Sequence, residues 1–145
     1  MFPIHPIGHV RTPYTDRSNA PKRPDYEGDE CTIKIDETYV EGLKDVDGFS
    51  YLYLLCFLDR IESYHLTAYP PQDGRPHGVF ATRSPFRPNP ISLTRVKLVR
   101  REGTTLTVTG LDLLDNTPVI DIKPYTGRIP DDEDIRFGWL DELDS

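Results

Sequence analysis

Four polar side chains in the middle of the chain, Arg83, Ser84, Arg87 and Asn89, share the stretch GVFATRSPFRPNP at 78–90 with three prolines. Proline fixes its own φ and pushes the preceding residue into extended geometry. Pro85, Pro88 and Pro90 therefore hold Ser84, Arg87 and Asn89 in β or polyproline conformations. Groups on so stiff a loop lose little entropy when they bind, which suits a pre-organised site. The competing reading is a proline-rich surface crossover with two solvated arginines. Ser84 has no evident general base, and four scattered histidines do not make one, so a nucleophilic triad is not indicated.

A second group of polar residues follows in LDLLDNTPVIDIKPY at 111–125. Asp115 and Asn116 sit in a tight turn ended by Pro118, and asparagine tolerates positive φ much as glycine does. Asp121 and Lys123 share one face of the strand expected to follow, and could simply pair with each other. Two further charged pairs stand out. Lys22 and Arg23 are bracketed by Pro21 and Pro24, and Asp59-Arg60 ends a continuous apolar run. The bland reading of each is a solvated loop or a rim salt bridge.

The elements that position these groups read as β throughout. Expected strands cover 4–11, 31–37, 50–58, 65–69, 78–83, 91–101, 105–111 and 119–123, with turn or loop signals between them. Cys31, Ile33 and Ile35 alternate as on a half-buried strand. SYLYLLCFL at 50–58 fits a strand buried on both faces. In 91–101 the apolar phase slips, with Ile91 and Leu93 odd but Val96 and Leu98 even, as a bulge near Thr94-Arg95 would produce. In 105–111, Leu106 and Val108 point inward, and in 119–123 Val119 shares the face of Asp121 and Lys123. Residues 39–49, with Val40, Leu43 and Val46 at helical spacing, are the best candidate for a short helix or turn. The class is all-β, and closure into a single-sheeted antiparallel barrel removes the exposed edges. An irregular, acidic C-terminal tail follows.

At 145 residues the chain makes one domain with a substantial core. The net charge of −7 speaks against a uniformly basic nucleic-acid binder. The charge is nevertheless segregated. Residues 75–101 carry seven lysines and arginines and no acid, whereas 131–145 carry seven acids and one arginine. A basic centre suggests an anionic ligand, or a face that the tail covers in the same molecule or in a partner. Cys31 and Cys56 lie in apolar runs and read as buried thiols. No C-x-x-C, H-E-x-x-H or other ligand spacing points to a metal. The G-x-G-x-x-G, P-loop and G-x-S-x-G motifs are also missing, which excludes a Rossmann site and a hydrolase elbow. With no signal-peptide pattern and no apolar run approaching a membrane span, a soluble, cytoplasmic protein without membrane contact is expected.

GVFATRSPFRPNPISLT together with LDLLDNTPVIDIKPY resembles the TrmO/YaeB (TsaA-type) family, as do IGHVRTPY near the start and Gly48-Phe49-Ser50 before the aromatic run. The resemblance covers roughly 4–130, so 1–130 is expected to be the barrel domain and 131–145 the tail. It implies a single-sheeted β-barrel, usually homodimeric. The implied activity is S-adenosylmethionine-dependent N6-methylation of the threonylcarbamoyl-adenosine beside the tRNA anticodon, at position 37. By position, the implied cofactor contacts are Pro21, Lys22, Arg23, Asp59, Arg60, Arg83, Leu93, Leu113, Leu114, Asp115, Asn116 and Thr117. Asn116 and Ser92 stand where the family usually has glycine, and the extra C-terminal domain of longer bacterial members has no counterpart in this sequence.

Within that resemblance, Arg83 or Arg60 suits the cofactor carboxylate, and backbone groups of the 113–117 turn suit the adenine edge. The target nitrogen is a weak nucleophile whose proton a carboxylate can accept. Asp115 is the first candidate and Asp121 the second, with Asn89 the remaining polar group placed with them. Arg87, Arg95, Lys97 and Lys123 are expected to hold anticodon-loop phosphates, and Tyr14 and Tyr125 to stack on a base. Two other readings are a non-catalytic barrel that binds S-adenosylmethionine and a small-molecule methyltransferase.

Overall fold

The computed structural model describes residues 1–21, 25–127 and 135–144. Eight strands form among the described residues: β1 (Gly8–Arg11), β2 (Cys31–Ile35), β3 (Tyr51–Phe57), β4 (Thr67–Ala68), β5 (His77–Gly78), β6 (Ile91–Glu102), β7 (Thr105–Thr109) and β8 (Pro118–Pro124). Six of them close into an antiparallel barrel in the order β1-β2-β7-β6-β3-β8, while β4 and β5 make a separate two-stranded ribbon. The all-β barrel read from the sequence is the observed architecture.

Alternation in the sequence becomes alternation about the barrel wall. Val10, Ile33, Leu52, Leu54, Cys56, Val96, Leu106, Val108 and Val119 are all essentially inaccessible. Burial of this kind stabilises by roughly 1.5–3 kcal/mol per large aliphatic side chain. Gly8 is required where β1 crosses β2, because a Cβ there would meet the Lys34 carbonyl oxygen at 2.1 Å.

Four local expectations are corrected. β3 is buried on one face only: Leu52, Leu54 and Cys56 point inward, whereas Tyr51, Tyr53 and Leu55 are half-buried and Phe57 is exposed. An outward row of aromatics mimics a doubly buried strand when hydrophobicity alone is read. The stretch 78–83 is not a strand, since a 3-10 turn at Val79–Ala81 follows two-residue β5. In β6 the register shift lies between Leu98 and Arg100 rather than near Thr94. The even residues Thr94 and Val96 are inward and Leu93 simply faces out. In β8 the pairing passes from Leu55↔Asp121 to Cys56↔Val119. Ile120 is therefore the extra residue of a bulge, and Val119 points inward while Asp121 and Lys123 sit on the outer wall.

The candidate helix near 39–49 is two 3-10 segments, Glu37–Leu43 and Val46–Gly48, the first capped by Asp36 accepting the Thr38 N–H. A further 3-10 segment, Gly138–Asp144, lies within the acidic tail. No helix among the described residues is long and apolar enough to cross a membrane.

The pairings Arg11↔Thr32, Cys31↔Val108, Phe57↔Ile91 and His9↔Pro118 bring one end of every barrel strand together. The chain leaves and re-enters the barrel at that end at residues 12 and 30, 58 and 90, and 110 and 117, which bound three segments.

Candidate functional site

The site is built on these three segments. Its floor is the 113–117 turn, laced to the end of β1. Asp115 N–H donates to the Tyr14 carbonyl at 2.8 Å, Asn116 N–H to Val10 at 2.9 Å, and Thr117 N–H to Leu114 at 3.2 Å. The Thr12 hydroxyl donates to the Leu113 carbonyl at 2.8 Å, and the Asp115 carboxylate accepts the Thr12 N–H at 3.0 Å. Asn116 takes φ 68°, the positive value for which asparagine is suited. The turn leaves less backbone unpaired than the sequence suggests: the N–H groups of Leu113 and Leu114 and the Asn116 carbonyl have no hydrogen-bond partner among the described residues.

From the 58–90 segment, Arg60 donates to the Asp115 carbonyl oxygen, and Asp59 beside it is exposed. Arg83 donates to the Leu93 carbonyl at 2.9 Å, which brings the rigid proline loop onto the start of β6. From the 12–30 segment, Pro21 lines a cleft of about 410 Å³ with Tyr14, Gly110 and Leu111. Lys22 and Arg23 lie outside the described residues. The structure thus gathers Pro21, Arg60, Arg83, Leu93 and the 113–117 turn at one end of the barrel.

Other expected site residues are placed elsewhere or are spent on the fold. Asp121 is paired with Lys123 at 3.0 Å on the outer wall. Asn89 is exposed, and its carbonyl accepts the Ile91 N–H. Arg87 turns back to the carbonyls of Thr82 and Ser84 at 2.9 and 3.0 Å. Arg95 lies over the rings of Tyr26, Tyr51 and Tyr125 at 4.9–5.9 Å and donates to the Tyr26 hydroxyl at 3.0 Å. Lys97 is exposed on the same wall. Tyr14 is not an exposed stacking residue. It is buried in the core and its hydroxyl donates to Asp29 at 3.3 Å, so burial first, then the Cys31 thiol and the Asp29 charge, push its pKa up. Tyr125 stands edge-on to Tyr51 and Tyr53.

Asp112 escaped the sequence reading. It sits between Leu111 and Leu113, and its Oδ1 is buried with no hydrogen-bond partner among the described residues. Burial raises its pKa, against the opposing pull of its own backbone N–H, the Thr94 hydroxyl and the Arg83 charge. The Cys56 thiol, inaccessible in the core and near this carboxylate, is pushed up to about 12 by burial and then by the Asp112 charge. A carboxylate between two leucines of a motif is the only sequence signal that could have marked it. Arg83 is thus exposed and anchored on the Leu93 carbonyl, and its charge acts on Asp112 without a direct ion pair between them among the described residues. No group of three or more His, Cys, Asp or Glu among the described residues is arranged to hold a metal.

The arrangement is a closed β-barrel that carries Arg60, Arg83 and the 113–117 turn on loops at one end. The chain belongs to the tRNA-methyltransferase O N-terminal domain family, whose sequence profile matches residues 9–131. A protein of Archaeoglobus fulgidus named as a probable S-adenosyl-L-methionine-binding protein is 43% identical over 98% of this chain and 39% of its own length. A tRNA (adenine(37)-N6)-methyltransferase of Escherichia coli is 35% identical over 86% of this chain and 57% of its own length. The crystal structure of TrmO from Pseudomonas aeruginosa superposes with a TM-score of 0.78 at 30% identity, covering 96% of this chain and 62% of that one. The chain thus spans between 39% and 62% of the length of these three proteins.

The residues present suit S-adenosylmethionine. The Arg83 guanidinium fits a carboxylate, and a turn N–H of Leu113 or Leu114 with the Asn116 carbonyl fits the acceptor-and-donor edge of adenine.

Proposed function

We propose that this chain binds S-adenosyl-L-methionine at the open end of the barrel and transfers its methyl group to N6 of an adenosine in tRNA, the threonylcarbamoyl-adenosine at position 37. The observation that supports this most is the convergence of Arg60, Arg83, Leu93 and the 113–117 turn on one end of the fold. Relatives named for the cofactor and for adenine-37 methylation support this choice of chemistry.

When bound, the cofactor supplies an electrophilic methyl group on a sulfonium. The chain's own residues bind and orient. Arg83 takes the carboxylate, and a turn N–H of Leu113 or Leu114 with the Asn116 carbonyl takes the adenine edge. Arg60 and Thr12 hold the turn that carries those groups. In-line transfer depends on that positioning, because a reacting pair held in a near-attack geometry avoids most of the entropic barrier. Asp115 is the carboxylate nearest this chemistry. Its Oδ1 is engaged by Thr12, and its Oδ2, 3.8 Å from Arg11, is the atom assigned to receive the acceptor's proton. Lys97, exposed on the adjoining wall, is assigned to an RNA phosphate. Residues 1–130 are taken as the working barrel and 131–145 as its acidic extension, in the cytoplasm. A homodimer is inferred from Phe57 and Leu93, each 43% exposed on neighbouring strands.

Calorimetry with S-adenosylmethionine, followed by nucleoside mass spectrometry of treated tRNA, tests this reading. Binding and a new methylated adenosine are expected. Relatives named only for cofactor binding favour a second reading, a barrel that binds without acting on tRNA or that methylates a small molecule. Binding with unchanged tRNA would select that second reading. Absence of binding would remove both.

A further inference from the structure

A cleft of about 790 Å³ opens beside Arg83, between the proline loop and the tail. The chain carries net charge −7, yet among the described residues no carboxylate lines this cleft, while Arg17 does, beside the Arg83 assigned to the cofactor. Its walls are aromatic. The Arg17 guanidinium lies 4.7 Å from the centre of the Phe86 ring, and Phe80 is 76% exposed.

The fourth wall comes from the tail. Trp139 stacks on His77 at 4.2 Å and 17°, and its indole N–H donates to the Ala81 carbonyl at 2.8 Å. His77 is itself held by Asp73 at 2.9 Å. The indole is thus pinned on one face and at its polar atom, and a large rigid ring is committed to the cleft rather than to the core.

Exposed aromatic rings interleaved with arginines, without acids, form the pattern that holds single-stranded nucleic acid: flat faces take bases and guanidiniums take phosphates. Duplex RNA offers no free base faces to such walls. We propose that this cleft, completed by Trp139, seats an unstacked base and the flanking phosphate of the single-stranded acceptor RNA. The proposal rests on the reading of the chain as an RNA methyltransferase and names where the RNA is held.

Trp139 is the chain's single tryptophan among eight tyrosines, so fluorescence excited selectively at the indole reports on this cleft. Titration of single-stranded oligoadenylate is expected to quench the emission, while a duplex of the same length leaves it unchanged. Trp139→Ala, and independently Phe80→Ala at an exposed position, should each weaken the anisotropy-measured affinity for labelled oligoadenylate by roughly tenfold, the scale of losing one stacked base. Melting curves and cofactor calorimetry confirm folded variants. Oligoadenylate that binds wild type without moving the emission, and binds both variants equally well, overturns the proposal. So does its failure to bind wild type at all. A light-scattering change from dimer to monomer in Trp139→Ala with RNA affinity intact would also overturn it, by assigning the cleft to a second copy. Loss of cofactor binding by wild type would instead strike the underlying reading, since the oligonucleotide arm is measured without cofactor.

Discussion

The Asp115 carboxylate accepts the backbone N–H of Thr12 at 3.0 Å, tying the turn between β7 and β8 to the chain leaving β1. The carboxylate therefore has a structural task whether or not it also receives a proton. Asparagine retains an acceptor oxygen for Thr12, whereas alanine does not. Asp115→Asn is expected to melt close to wild type. Asp115→Ala should lose about 1 kcal/mol, which for a domain of this size lowers Tm by roughly 2–4 °C. Single-turnover methylation separates the second role: a general base lost to asparagine costs about 10²–10⁴-fold in rate with cofactor affinity nearly intact. An Asp115→Asn protein that methylates at the wild-type rate would confine Asp115 to the turn.

Arg83 donates to the Leu93 carbonyl and is otherwise exposed, and its charge opposes the rise of the buried Asp112 pKa. If its outer face takes the cofactor carboxylate, Arg83→Ala should weaken S-adenosylmethionine binding by about tenfold or more, as expected for a charge-assisted hydrogen bond. Arg83→Lys should recover only part, because an ammonium cannot reproduce the planar fork that serves two acceptors at once. Calorimetry on both variants decides the matter, and unchanged affinity in a folded Arg83→Ala protein would assign the arginine to Leu93 and Asp112 alone.

The barrel was readable because its strands alternate. Cys31, Ile33 and Ile35 in β2, and Leu106 and Val108 in β7, face inward as their spacing implies. The turn at Asn116 was readable because few residues accept φ 68°. Bulges were not. Inserting Ile120 reverses the faces of everything after it, and nothing in VIDIK marks which residue is extra. Tyr14 and Tyr51 look alike in sequence, yet one is core and the other forms the outer aromatic row, because only three-dimensional closure decides which side of the wall each occupies. Arg87 and Arg95 looked free for the same reason: their partners are loop carbonyls and a ring of tyrosines distant in sequence.

Asp112 gives the protein a pH dependence of definite sign. Burial raises its pKa above the ordinary carboxylate value of 3.8. Below that value the carboxyl is protonated in both the folded and unfolded chain and costs nothing. As pH rises from 3.8 through the raised folded value, the unfolded chain releases its proton first, so stability falls. Asp112→Asn cannot ionise. The stability of Asp112→Asn relative to wild type should therefore grow between pH 4 and pH 7, as measured by urea unfolding at each pH. A difference that stays flat or shrinks would show that Arg83 and Thr94 fully compensate the buried charge.

Asn116 tests whether the geometry of the turn governs ligand binding. Its φ of 68° is strained for residues with an ordinary Cβ, by about 1–2 kcal/mol. Its side chain accepts a 3.2 Å hydrogen bond from Arg11 at an exposed position, a contact of little energetic weight. Asn116→Gly should therefore leave stability near wild type, and Asn116→Ala should lose roughly 1 kcal/mol. Asn116→Val should lose more, because a β-branched side chain is disfavoured at positive φ. The same order should appear in S-adenosylmethionine affinity, since relaxing this φ moves the Asn116 carbonyl and the nearby Leu113 and Leu114 N–H groups assigned to the adenine edge. Melting curves and calorimetry on the three variants measure both orders. If stability follows the expected order while affinity stays constant, the adenine edge is recognised elsewhere and the turn serves only to close the barrel end.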